Sequence, residues 1–200
     1  AAATIAGKAQ SNIELMQTAD KTTSRVRPNL FYKLPGGIKG YTFIEFYEDG
    51  KSYYAKTGLT KKISGSLDAR ADIIDMSFAK DQVGLGLEYK LPTGEKTFAK
   101  VKAMPVYFGM DGKYIQSKAV LGYYFEQKVY VPLIKDAKVV AFGEIDVAAK
   151  GGPKWSYGEL HAQKSLDDFV LGIGVDLRSK GKLIPQPELS VKLGYVFGQK

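Results

Sequence analysis

From Phe169 onward the chain alternates with a period of two, and the two faces this creates are unlike. In Phe169-Val-Leu-Gly-Ile-Gly-Val-Asp-Leu-Arg178, the residues Phe169, Leu171, Ile173, Val175 and Leu177 share one face, and Val170, Gly172, Gly174, Asp176 and Arg178 share the other. After a Gly/Pro-rich turn, Pro187-Glu-Leu-Ser-Val-Lys-Leu-Gly-Tyr-Val-Phe197 sets Leu189, Val191, Leu193, Tyr195 and Phe197 against Ser190, Lys192, Gly194 and Val196. A period of two belongs to a β-strand. Each arm is therefore a strand with one bulky apolar face and one small, glycine-rich or charged face. The fold depends on whether the apolar face points into a core or out into lipid.

The same pattern recurs upstream. Val26, Pro28, Leu30, Tyr32 and Leu34 alternate with Arg27, Asn29, Phe31 and Lys33. Val83, Leu85, Leu87, Tyr89 and Leu91 alternate with Gly84, Gly86, Glu88 and Lys90. Ala99, Val101 and Ala103 oppose Lys100 and Lys102; Ala119, Leu121, Tyr123 and Phe125 oppose Lys118, Gly122 and Glu126. Val139, Ala141, Gly143, Ile145 and Val147 oppose Phe142, Glu144 and Asp146, and Leu160 and Ala162 oppose Glu159 and His161. Residues 41–47 carry aromatics on both faces, and residues 67–74 also fit a short helix. Pro28 excludes a fully hydrogen-bonded central position unless it lies at a bulge or strand end. Asp49-Gly50 and Asp111-Gly112 are hairpin signals of the type I′ kind. About twelve strands of roughly ten residues result, with ten to fourteen admissible, joined by short turns and without a helix. No linker or composition break divides residues 1–200, and residues 1–10 read as a short tail on a single barrel domain.

No run of about 18 apolar residues exists, which excludes a membrane-spanning helix but not spanning strands. Mean hydropathy is −0.18 although 44% of residues are hydrophobic, the combination that alternation produces. The absence of cysteine excludes disulfides and sulfur-ligated metal sites. The opening Ala1-Ala-Ala-Thr4 has the small residues left by a removed export signal, so export is expected. A net charge of +8 fits anionic partners, but the lysines are scattered through nearly every segment. A nucleic-acid surface would concentrate them with interleaved aromatics, so no nucleic acid is expected.

Three features favour an outward apolar face. Glycine is frequent on the polar face, where a solvated strand surface has no need of it. Strand lengths near nine residues suit a tilted membrane strand. Tyr41, Tyr53, Tyr89, Tyr123, Trp155, Tyr195 and Phe197 fall near strand ends, as an aromatic girdle would. The ending Val191-Lys-Leu-Gly-Tyr-Val-Phe197 resembles the alternating, aromatic-terminated last strand of bacterial outer-membrane β-barrel (porin-like) proteins, with the difference that Gly198-Gln-Lys200 follows the aromatic. The resemblance implies that this strand serves as an assembly signal and that the chain resides in the outer membrane.

The expected fold is all-β: an antiparallel, up-and-down transmembrane β-barrel. Arg27, Lys33, Lys56, Arg70, Lys90, Lys100, Lys102, Lys118, Glu144, Asp146, Arg178 and Lys192 would line its lumen. Inward cations would modestly outnumber inward acids, so a passive channel with a weak preference for small anionic solutes follows. The barrel would be a monomer whose partner is membrane lipid. Two other readings remain open: a soluble or secreted barrel binding an apolar ligand or partner, and a non-conducting scaffold barrel within an envelope complex.

Catalytic chemistry is sparse. His161 is the only histidine, and its strand spacing to Glu159 makes a pair, yet no Gly-x-Ser-x-Gly elbow accompanies it. Ser156 and Ser165 are near His161 in sequence only. Gly50-Lys-Ser52 lacks the upstream glycine and the following helix of a phosphate loop. Arg70, lying between Asp68 and Asp72, suits a cross-strand charge ladder rather than paired acid and base. No cofactor, metal or enzyme activity is expected.

Overall fold

Each alternating stretch becomes a strand in the computed structural model, which describes residues 11–19, 24–92, 98–130, 137–147, 152–178 and 186–197. The strands are β1 (Ser11–Thr18), β2 (Arg25–Leu34), β3 (Ile38–Tyr47), β4 (Tyr53–Ser64), β5 (Leu67–Met76) and β6 (Gln82–Pro92), then β7 (Phe98–Gly109), β8 (Tyr114–Lys128), β9 (Ala137–Asp146), β10 (Lys154–Leu166), β11 (Phe169–Arg178) and β12 (Gln186–Phe197). Each pairs antiparallel with its predecessor, and β1 pairs with β12 to close the barrel. Closure removes the sheet edge, whose unpaired N–H and C=O groups hydrocarbon cannot satisfy. The tail expected over residues 1–10 and the terminal Gly198-Gln-Lys200 lie outside the described residues, as does most of the turn after Arg178.

The apolar face points outward. Leu171, Ile173, Leu189 and Val191 are 45%, 57%, 59% and 53% exposed, whereas Asp72, Glu159 and Asp176 are 1%, 0% and 0% exposed. This is the inverse of a soluble barrel, and it removes the reading of a soluble or secreted barrel with an apolar interior. Residues 67–74 are strand, because Asp68, Arg70 and Asp72 share the inward face of β5 at period two. No helix can place all three on the same side.

Local irregularities have physical causes. The β2–β3 ladder is interrupted between Val26↔Phe46 and Asn29↔Phe43, where Pro28 lacks an N–H to donate. A register shift between Trp155 and Tyr157 resets the alternation of β10. Without it Trp155 would share the inward face of Tyr157 and Glu159; with it the indole lies outside beside Tyr123, ring centroids 5.9 Å apart. The two Asp-Gly hairpins differ from the type I′ expectation. Gly50 (φ 65°) and Gly112 (φ 76°) have positive φ but Asp49 and Asp111 do not, so one left-handed residue follows an ordinary turn. Asp49 Oδ1 accepts from the Lys51 and Ser52 amides at 2.9 and 2.7 Å. Together with the Ser52 hydroxyl, these donors hold its carboxyl below the usual carboxylate range.

A charge on the lipid face should be costly in proportion to depth. Ile173→Arg, near the middle of β11, is expected to cost about 2–4 kcal/mol, and Phe197→Arg at the rim about 0–1 kcal/mol. Urea unfolding of the refolded protein in micelles, followed by heat-modifiable gel migration, measures both.

Candidate functional site: the interior of the barrel

The inward face carries charge on nearly every strand, and the charges form two clusters. In the larger one, Arg27 of β2 donates to Glu14 Oε2 at 2.6 and 2.9 Å and to Glu159 Oε1 at 2.8 Å. Arg25 reaches Asp176 Oδ2 at 2.7 Å, Glu45 Oε1 at 3.0 Å and Glu159 Oε1 at 3.1 Å. Arg178 lies 3.2 Å from Asp176 and 3.6 Å from Glu45, and Lys192 Nζ lies 2.9 Å from Glu159 and 3.3 Å from Glu14. Four basic groups thus meet four carboxylates. Burying so much charge is tolerable only because each ion has several opposite partners.

His161 sits beside this cluster, fully buried, with Nε2 2.8 Å from Ser190 Oγ and Nδ1 3.7 Å from Glu159. The aromatic faces of Phe142 and Tyr157 pack edge-on at 5.6 Å, and Arg27 and Lys192 lie 5.9 and 5.6 Å from the Phe142 centroid. The Arg27–Glu159 contact joins β2 to β10 with β1, β12 and β11 lying between them along the wall. It therefore crosses the interior rather than following the wall.

The second cluster belongs to the opposite wall. Arg70 Nε donates to Asp72 Oδ1 at 2.6 Å and Nη1 to Glu88 Oε2 at 3.1 Å. Lys56 Nζ lies 3.6 Å from Asp72 and 3.7 Å from Glu144, and Lys102 binds Glu144. Three cations again meet three carboxylates. The Lys56–Glu144 contact bridges β4 and β9 past four intervening strands, nearly a diameter of the barrel. Below it lies an inward apolar group, Ile74, Met104 and Tyr107 with Tyr54 and Met76 against them. The interior is consequently not purely polar, as the alternation alone suggested. Lys118 Nζ lies 5.1 Å from the Tyr107 centroid.

The inward glycines have a steric role. A Cβ on Gly58 would occupy the place of the Arg70 guanidinium, and one on Gly84 would come within 2.6 Å of the Tyr107 ring. Gly84 is the register partner of Tyr107, and Gly58 is the partner of Asp72, the next inward residue after Arg70, so each glycine is a recess into which a long side chain folds.

Of the expected lumen residues, Arg27, Arg70, Lys102, Glu144, Arg178 and Lys192 belong to the two clusters, as does Lys56. Lys33, Lys90, Lys100, Lys118 and Asp146 stand on the same inward alternation outside them. Tyr53, Tyr89, Trp155, Tyr195 and Phe197 face outward near the rims, and Tyr123 faces outward nearer mid-strand. Tyr195 packs on Phe169 and Phe197 at 4.9 and 4.7 Å. Tyr41 does not belong to the girdle: it turns inward, donates to Asn29 Oδ1 at 2.7 Å and stacks on Phe31 at 4.5 Å. Aromatics on both faces of β3 concealed this orientation. Arg25, Glu14 and Glu45 were missed in the sequence. Extending the Arg27 alternation back one step would have found Arg25, but Glu14 lies in a stretch that alternates weakly, and Glu45 in the ambiguous aromatic one.

The chain is similar in fold to three solved porin structures. It superimposes on a KdgM porin with TM-score 0.55 at 10% identity, covering 94% of this chain and 99% of that one. For a KdgM porin in complex with disordered oligogalacturonate the values are 0.56, 11%, 94% and 99%. For a NanC porin in a rhombohedral crystal form they are 0.56, 8%, 95% and 100%. No family model matches the sequence, and no curated protein matches it.

Glu159→Gln strands Arg27, Arg25 and Lys192 around a neutral amide. The expected cost is about 3–5 kcal/mol, the range for removing one partner of a buried ion group. Lys33→Gln, at the exposed rim, is expected to stay within about 0.5 kcal/mol of the parent. Unfolding midpoints in detergent compare the two.

Proposed function

We propose that this chain is a small outer-membrane barrel acting as a narrow passive channel with a weak preference for small anionic solutes. The observation that carries the reading is the inversion of polarity: a closed barrel with an apolar belt outside and ionic side chains inside. That arrangement is soluble in lipid and offers a wet path through it. The porin fold of the solved neighbours, one of them in complex with oligogalacturonate, supports the same reading.

The source of the anion preference differs from the sequence expectation. The mid-barrel cations are matched by carboxylates, so they confer little net field. The preference rests instead on inward lysines outside the clusters, Lys33, Lys100 and Lys118. Passage would run beside the half-open groups, since Glu144 and Arg178 side chains retain 23% and 22% exposure. The monomer with lipid as its main partner, the export of the chain, its single-domain organisation over residues 1–200 and the absence of enzymatic chemistry all belong to this reading. His161 and Ser190 are fully buried, which gives a substrate no access to them.

One observation favours a second reading, the non-conducting scaffold barrel. Glu159, His161 and Asp176 are inaccessible to solvent, so the larger cluster fills most of its level of the interior.

Planar-bilayer recording of the purified protein separates the two. A channel is expected to give small, discrete steps with chloride more permeant than potassium. Lys56→Ala removes one of the contacts that span the interior and is expected to raise single-channel conductance. A silent bilayer despite correct heat-modifiable folding supports the scaffold, and potassium selectivity removes the anion preference.

A further inference from the structure

Both β1 and β2 define the two ends of the barrel: at one end β1 starts, β2 turns into β3 and β12 finishes, and at the other β1 turns into β2. The first will be called the proximal end. Here the register sets lysines directly opposite one another three times, Lys33↔Lys39 across β2–β3, Lys90↔Lys100 across β6–β7 and Lys128↔Lys138 across β8–β9. Like charges directly opposite destabilise a strand pair. The chain does have the alternative available, because at the same rim Lys62 faces Asp68 across β4–β5.

All six lysines keep the inward alternation of their strands, in step with Arg27, Glu45, Glu88, Lys102, Glu126 and Glu144. Lys33, Lys39, Lys90 and Lys128 are exposed at the mouth, and Lys100 and Lys138 are half-buried below it. Glu126 lies 3.7 Å from Lys138 and moderates the third pair. The remaining sector of this rim carries Asp167 and Asp168 at the β10–β11 turn.

The distal rim is built differently. There Lys80 and Lys113 both lie within 4 Å of Asp111, at 3.8 and 3.9 Å, and the β3–β4 turn sets Glu48 and Asp49 beside Lys51. Cations at that end sit among acids. Lysines set against lysines are confined to the proximal end among the described residues.

We infer that the three opposed lysine pairs form a capture site at the proximal mouth for a soluble solute bearing two or more carboxylate or phosphate groups. Ammonium groups on directly opposed residues, with Cβ atoms about 5 Å apart, chelate one anionic group between them. Several such pairs around one mouth favour an anion with several groups over a monovalent one. Binding relieves the lysine–lysine repulsion and so stabilises the barrel. Because the pairs lie at one end, the solute acts from one side only. The inference deepens the anion preference proposed above, but its binding half stands without conduction.

The test uses the full chain in neutral detergent with citrate and tripolyphosphate as probes, at ionic strength matched with chloride. The heat-modification midpoint of the parent is expected to rise with either probe. The triple variant Lys33→Gln, Lys39→Gln, Lys128→Gln is expected to lose the rise and to bind about tenfold more weakly, the ordinary worth of a few lost charge contacts. Lys51→Gln with Lys113→Gln, at the distal rim, is expected to keep it. In bilayers, citrate is expected to block from one chamber only. A rise equal to that in chloride, or one unchanged in the triple variant, overturns the site. A rise seen only with anionic-lipid nanodiscs overturns the soluble solute and assigns the lysines to lipid headgroups. A silent bilayer with a citrate-dependent midpoint shift sinks the channel and leaves the site standing.

Discussion

Charge matching inside a closed wall is the constraint on which the rest of this molecule depends. A carboxylate or guanidinium removed from water is tolerable only when opposite ions and hydrogen-bond donors surround it. Here Glu159 takes contacts from Arg25, Arg27 and Lys192, and Glu45 from Arg25, Arg27 and Arg178. Because partners in the larger cluster come from β1, β2, β3, β10, β11 and β12, no single hairpin can satisfy all of its charges. Local pairs such as Arg27–Glu14 and Arg70–Glu88 form within a hairpin, but Arg25–Glu159, Arg27–Glu159 and Lys56–Glu144 form only when the barrel closes, which couples wall formation to interior packing.

That coupling explains the composition of the inward face. Long basic side chains need room to cross the barrel, and small residues on neighbouring strands make it. Gly58 leaves the space that Arg70 occupies on its way to Asp72 and Glu88. Gly122 lies under the aliphatic stem of Lys100. On the outer face the same logic serves the aromatics: Tyr32 covers Gly40, and the Tyr123 hydroxyl reaches over Gly143. Gly143, on the apolar face by its alternation, is therefore a seat for a ring and no breach of the pattern.

Electrostatically the barrel is divided along its axis. Its middle is close to neutral, since both clusters balance. Both rims carry acids beside lysines, but among the described residues only the proximal mouth also sets lysines directly opposite lysines. A solute approaching from the two sides would meet different fields, and the screening length of about 10 Å at moderate salt confines each field to its own mouth.

The period-two pattern by itself settled the class of element, the pairing of each strand with its neighbour and the division into two faces, because alternate side chains of a strand must point opposite ways. Short turns made a meander, and the Leu171–Ile173–Val175 face could be separated from Asp176 and Arg178 with no knowledge of the partner strands. Tertiary structure decided the rest. Whether grease faces lipid or core is a property of the closed wall, not of a strand. The inward turn of Tyr41, the outward reset of Trp155 and the pairing of Arg27 with Glu159 depend on bulges and on neighbours distant in sequence. A local pattern says which side a charge is on; only the geometry across the barrel says which opposite charge it meets.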